Sequence, residues 1–398
     1  MRGWWLTVCS KLDLLFVVSN EGNTVDLQSL WREAVPRLLL EISIDGRPDL
    51  HVGAITPDLG TMVASGAHGP TIGGNVGGCV DDGDAGALVQ HQPEIPDRFL
   101  IDSDAATNHP GSLELDLRAI LSLGASGCGY QQHLAAIRAA FANPSNLGFR
   151  RDDAALGIIV VSDEDDCSAL DPSLFDASTS TLGPLQHFRC TQFGVRCAEP
   201  DMTLEGSRTG CLPDASSTII EDPAELLPTI AALAGDPRRV TFGAVIAPND
   251  VSIELRAPAG STVLIPALAH ACELVDADSG QTVDAADPAV RLAWFADQLG
   301  DRGAVASICD GLDDAATTMG MNLRRAMGDR CIENAIDLAR CEVVDQLGAS
   351  ETPLPPCAGA STSCYDVVTD EASCPHATHQ QLVVHHDAAP GTYTLVRC

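Results

Sequence analysis

Five short apolar runs are the feature that most constrains this chain: residues 13–18 (DLLFVV), 50–55, 156–161, 240–246 and 304–308. Each is long enough for a strand buried on both faces and far too short to cross a membrane. Between them lie stretches with apolar residues at helical spacing, over 25–42, 113–123, 129–142, 225–234 and 287–299. Alternation of this kind, with each run ending in polar or turn residues, is the pattern of a mostly parallel sheet wound on both faces by helices. Pro36 is expected to kink the first helix or end its first half.

Two segments interrupt the alternation. Residues 57–110 are rich in Gly, Asp, Ser and Pro and read as a long loop, tied down through Cys79. Residues 168–222 form a second insertion holding Cys190, Cys197 and Cys211. From about residue 341 the character changes to short apolar runs punctuated by Cys357, Cys364, Cys374 and Cys398, which reads as a small cysteine-rich β appendage. The expected organisation is a main α/β domain over 11–340 with two insertions, followed by an appendage over 341–398.

Fifteen cysteines in 398 residues, with no C-x-x-C pair, argue against zinc ribbons and thioredoxin-like redox sites. They argue for structural disulfides in an oxidising compartment, so the protein is expected to be exported, to the cell envelope or beyond. The sequence leaves their pairing open. Residues 1–10 carry one Arg and an apolar run shorter than a signal peptide needs, so the export signal is expected to be incomplete. Cys9, after Leu6-Thr7-Val8, faintly resembles a lipoprotein cleavage box and is a candidate lipidation site.

A formal charge of -32 excludes nucleic acid and anionic membrane surfaces as partners, because binding to phosphate is driven by Lys and Arg. Lys11 is the only lysine. With aromatics at only 4%, the core must be built from Leu, Ile, Val and Ala.

The stretch Asp13 to Thr24 (DLLFVVSNEGNT) resembles the first strand and metal-ion-dependent adhesion motif of von Willebrand factor A domains. Gly124-Ala125-Ser126-Gly127-Cys128-Gly129, placed before a helix, is similar to that family's threonine-bearing loop, and IIVVSD ending at Asp163 to its strand with a terminal aspartate. The wording VSDEDDCS and GCGY is like that of cysteine-rich bacterial envelope members. The resemblance covers roughly residues 11–326. It implies a doubly wound α/β fold, a site at the carboxyl ends of the strands, and recognition of a partner carboxylate through a Mg2+-type cation.

The implied site is degenerate. Ser19 stands at the first Asp position, Glu21 and Asn23 at the two Ser positions, and Ala125 or Ser126 at the Thr position. Asp163 alone is retained. Two readings stay open: Ser19, Glu21, Asn23, Ser126 and Asp163 hold Mg2+ or Ca2+ in altered geometry, or the crest is metal-free and polar because strand ends meet solvent. The second is favoured. The run Asp163 to Asp166 reads as a solvated acidic turn, with Ca2+ binding as the lesser reading.

Other constellations are weaker. Gly124 to Cys128 has Cys where a nucleophile elbow needs its second glycine. Gly73-Gly74 and Gly77-Gly78 lack the flanking strand and helix of a phosphate loop. His376, His379, His385 and His386 lack a metalloprotease helix and read as surface histidines. Cys128 and Cys167 are expected to be bridged, not reactive. The expected function is therefore binding or adhesion to a protein or other extracellular partner, with no enzymatic activity. A metal-assisted hydrolase, needing a His brought to the carboxylates by the fold, and a purely structural envelope protein are the alternatives.

Overall fold

The residues of the first apolar run divide by parity. In a computed structural model of the chain, Leu12, Leu14, Phe16 and Val18 face one hydrophobic layer while Leu15 and Val17 face another, all fully buried. A strand sends successive side chains to opposite faces, so a run apolar at every position must be covered on both sides. The structure describes residues 3–6, 11–22, 24–44, 47–73, 78–90, 97–234, 237–258, 260–275, 280–327, 331–332, 341–347, 350–357, 363–369, 378–385 and 393–397.

Lys11–Val18 (β1), Asp49–Ile55 (β2), Leu100–Asp102 (β3), Ala155–Val161 (β4), Val240–Ile246 (β5) and Gly303–Ser307 (β6) form one sheet in the order β3-β2-β1-β4-β5-β6. Every neighbouring pair is parallel except β2 with β3. This is the strand order of a doubly wound sheet, which reverses direction between β1 and β4. Helices Val25–Ile42 (α1), Leu113–Ile120 (α2) and Leu312–Met327 (α6) supply one layer. His133–Ala142 (α3), Pro223–Ala231 (α4) and Val290–Gln298 (α5) supply the other. Trp31 of α1 is fully buried and meets Phe16 edge-on at 6.5 Å between ring centroids. Burying a large apolar side chain of this kind contributes roughly 1.5–3 kcal/mol.

At the amino end of β1 the carboxylate of Asp13 is fully buried, and its charge is met by Arg150 at 2.9 Å and Arg151 at 2.7 Å. A buried charge needs such partners, and Arg supplies them in planar, two-pronged form.

Several elements differ from the sequence reading. α1 runs unbroken through Pro36, because Val35 and Leu38 beside it are clamped in the core and packing outweighs one lost backbone hydrogen bond. α3 begins at His133 and not at residue 129: Gln131 and Gln132 turn their amides back onto the carbonyls of Cys128 and Met62. Residues 57–110 contain β3, the antiparallel edge strand. Between β5 and α5 the chain forms two hairpins, Ser252–Arg256 with Ile265–Leu268 and Cys272–Val275 with Thr282–Ala286. Their strands are four or five residues long and partly exposed, and the apolar run over 263–269 is interrupted by Pro266, so no strand was legible there.

Gly303, at the start of β6, seats that strand against the end of α5. A Cβ on it would lie 1.8 Å from the carbonyl oxygen of Ala296, so only glycine permits the approach. Beyond α6 the described residues are β hairpins around Val343, Tyr365, Leu382 and Val396. Gly3–Leu6 pairs with Tyr393–Arg397, joining the first described strand to the last. No described helix is long and apolar enough to cross a membrane.

Candidate functional site

Where β1 and β4 end side by side, their outgoing loops part to opposite faces of the sheet, and the crevice between them is where doubly wound folds place ligands. The first residues of both loops are locked together. The Ser19 N–H donates to the Val161 carbonyl at 3.1 Å, and the Ser19 and Ser162 hydroxyls are 2.8 Å apart. Ser162 in turn donates to the Glu164 carbonyl at 2.8 Å, so Ser19 is the donor between the two serines. His133 Nε2 lies 3.4 Å from Ser19 Oγ. Ser19, Ser162 and His133 are all fully buried. Burial pushes the His133 imidazole down to about 4, against the opposing charge of Asp166, so it is neutral at ordinary pH. Serine beside histidine resembles a nucleophile pair, but no substrate reaches atoms sealed to this degree.

Two residues on, the side chains turn the other way. Glu21, Glu164 and His187 converge, one ligating atom of each lying within 4.8 Å of the others. His187 Nδ1 is 2.6 Å from Glu164 Oε1 and 3.7 Å from Glu21 Oε2. Glu21 is only 5% exposed. Burial, then the charge of Glu164, raise its carboxyl to about 10, and His187 only partly offsets them. His187 itself is raised to about 10: burial opposes its protonation, and Glu164 and Glu21 outweigh burial. Glu21 and His187 are thus both pushed toward their protonated forms beside Glu164, where a dication would satisfy the same groups. The Tyr130 ring, 5.9 Å from the imidazole, walls the group on one side.

His187 arrives from the second insertion, and a disulfide brings it there. Cys167 is bonded to Cys190. Glu164 precedes the first of these cysteines by three residues and His187 precedes the second by three, so one bridge brings the two side chains together.

The loop over 124–129 is pinned to the crest from below. Gln28 of α1 donates to the carbonyls of Ser19 at 2.7 Å and Gly124 at 2.8 Å, and accepts from the Leu123 N–H at 2.9 Å. The Gly127 N–H donates to the Asn20 carbonyl at 2.8 Å, and a Cβ at Gly127 would strike the Asn20 side chain at 2.2 Å. Cys79–Cys128 anchors the far end. Ser126 is exposed at the tip.

The acidic run after β4 is not the solvated turn expected from its composition. Asp165 accepts from the backbone N–H groups of Val290, Arg291 and Leu292 at 2.9–3.1 Å and so caps α5. Asp166 accepts from Leu134 N–H at 2.9 Å, at the start of α3, and pairs with Arg291 at 2.9 Å with both side chains sealed from solvent. Burial disfavours its charge, yet Arg291 and His133 hold Asp166 below the usual carboxylate range. Helix N-termini attract carboxylates, so the run is consumed by two caps. Asp163, 2% exposed, is raised well above its ordinary value by burial and then by Glu164, Asp284 and Asp287.

Of the residues singled out in the sequence, Ser19, Glu21 and Asp163 stand at the two strand ends and Ser126 on the facing loop. Asn23, Cys9, His376 and His386 lie outside the described residues. The Ser19 hydroxyl is turned beneath the crest, onto Ser162 and His133, and Glu21 is turned toward Glu164 and His187. As placed, these two do not fit an oxygen-only octahedron of the adhesion-motif type. His385 lies 3.2 Å from Asp366 and near Cys357, but the Cys357–Cys364 disulfide removes that sulfur as a thiolate ligand. His187 had no local signature: it sits in a loop, 23 residues after Glu164.

No family model and no curated protein matches the chain. Among solved structures it is similar to the pilus adhesin SpaC from Lactobacillus rhamnosus GG, at 11% identity and a TM-score of 0.36, over 99% of this chain and 40% of that one. It is also similar to a von Willebrand factor type A protein from Catenulispora acidiphila, at 9% identity and a TM-score of 0.29, over 97% and 57% of the two chains. The chain thus spans less than two thirds of either.

Proposed function

We propose that this protein is an exported recognition protein of adhesion type, binding a protein or other extracellular partner at the carboxyl ends of its strands. The observation that carries the reading is the convergence of Glu21, Glu164 and His187 at the switch point, on loops supplied by two strands and an insertion. Loops on a rigid sheet are where recognition is placed, because the scaffold holds them while their side chains vary. Specificity then lies in the two insertions, the second of which carries an open depression of about 430 Å³ lined by Phe193, Met202 and their neighbours. Export rests on the bridges Cys79–Cys128, Cys167–Cys190, Cys197–Cys211, Cys272–Cys309 and Cys357–Cys364, which need an oxidising compartment. In this reading the adhesion motif is degenerate and Mg2+ or Ca2+ is not its determinant.

The test is adhesion of beads coated with oxidised protein to a panel of immobilised extracellular glycoproteins and cell surfaces. Adhesion is expected to fall at least about tenfold, or 1.4 kcal/mol, in Glu164→Ala and to persist in Arg302→Ala at the opposite end of the sheet. Adhesion indifferent to Glu164→Ala sinks the reading. The same trio also supports a metal-assisted hydrolase, since a histidine does meet the carboxylates. Turnover of ester, phosphoester or peptide substrates that disappears in His187→Ala would put that reading in its place.

A further inference from the structure

We propose that Glu21, Glu164 and His187 form a binding site for one divalent transition ion of the Zn2+ class, distinct in ligands and in ion from the oxygen-only site that the strand-end motif resembles. This assignment does not depend on who the partner is.

The donor set selects the ion. One imidazole nitrogen and two carboxylate oxygens suit Zn2+ or Mn2+, whereas Mg2+ and Ca2+ take oxygen alone. Two carboxylates neutralise a dication with the imidazole uncharged, so the ion resolves the crowding of like charges around Glu21. The geometry is close. Bonds of about 2.0–2.1 Å in a tetrahedron set ligand atoms about 3.4 Å apart. The observed separations from His187 Nδ1, 2.6 Å to Glu164 and 3.7 Å to Glu21, bracket that value, so small side-chain rotations complete the site.

Two further observations separate this group from a chance gathering of acids. Glu21 is held with its carboxylate in a nearly closed setting, where an isolated surface glutamate would turn to water. The Cys167–Cys190 bridge spaces Glu164 and His187 equally from its two cysteines, fixing covalently two ligands that come from separate segments. Three protein ligands leave a fourth position open for water or for a carboxylate or other donor on a bound partner.

The experiment is calorimetric titration of the purified, oxidised, metal-stripped full chain with Zn2+, Mn2+, Mg2+ and Ca2+ alone, with metal content after dialysis measured in parallel. One equivalent of Zn2+ is expected to bind at micromolar affinity or tighter, with Mg2+ and Ca2+ at least about 100-fold weaker. Loss of a direct ligand is expected to cost at least about 100-fold in His187→Ala and Glu164→Gln, because even outer partners of a metal ligand cost 10–100-fold. His385→Ala is expected to change nothing. Near-ultraviolet circular dichroism of each variant confirms the native fold, and Glu164→Gln, nearly isosteric, serves if His187→Ala misfolds. Absence of Zn2+ binding, Zn2+ binding that survives both substitutions, or Mg2+ or Ca2+ binding that is tighter than Zn2+ and survives His187→Ala each overturns the proposal. Failure of the adhesion assay leaves this result untouched.

Discussion

A histidine sealed in the protein interior has to stay neutral, and His133 shows what that costs. Its pKa lies near 4 in the folded chain against an unperturbed 6.5. In the pH window between these values the unfolded chain takes up a proton that the folded chain refuses, so the unfolded state gains stability as pH falls. The contribution is fully present above pH 6.5 and is lost progressively toward pH 4. By pH 5 it amounts to about 2 kcal/mol of destabilisation. Urea unfolding at pH 7 and pH 5 is expected to show that extra loss in the wild type and to lack it in His133→Gln, and equal losses in both would remove His133 from the account. The same scale explains the acidic run. Four consecutive acids look alike in sequence, yet Asp165 and Asp166 point into helix ends while Asp163 and Glu164 stay at the crest. Backbone direction at the end of β4 makes that division, and composition carries no trace of it.

Strands at the centre of the sheet were the most legible: β1, β4 and β5 follow from largely apolar runs, because a strand covered on both faces has no solvent face to disguise it. β2 keeps its apolar run around His51, and the edge strand β6 is partly exposed, Val305 included, so it was legible from apolar composition alone. β3 and the hairpins after β5 were not legible, since a half-exposed strand three to five residues long is too short to establish a period. Contacts between elements were equally silent. Nothing in the local sequence sets Gly303 apart, but it is the point at which β6 meets the α5 backbone. Gly303→Ala is expected to destabilise the fold by about 1–3 kcal/mol through forced backbone displacement, read as a lowered urea midpoint at unchanged slope. A midpoint equal to the wild type would show that β6 has room to shift.

At the scale of the whole molecule, charge and covalent bridges dominate. A formal charge of -32 places many like charges on one surface, and their mutual repulsion opposes the compact state. Raising NaCl from about 0.02 M to about 0.3 M shortens the screening length from roughly 20 Å to below 10 Å and is expected to raise Tm by about 2–4 °C. A Tm that falls with salt would mean that paired charges, such as Asp13 with Arg150 and Arg151, outweigh the surface repulsion.

The sequence by itself determined the layered α/β architecture, the position of the crest at the ends of β1 and β4, and the presence of disulfides, because each is written in local patterns: apolar runs, their polar endings, and cysteine count. It also marked Ser19, Glu21 and Asp163 as crest residues. Tertiary structure alone decided which way those side chains turn, which cysteines pair, and that His187 reaches Glu164 and Glu21. Those outcomes depend on distances between segments far apart in the chain, and only closing the fold brings such segments within the few ångströms over which hydrogen bonds, ion pairs and metal ligands act.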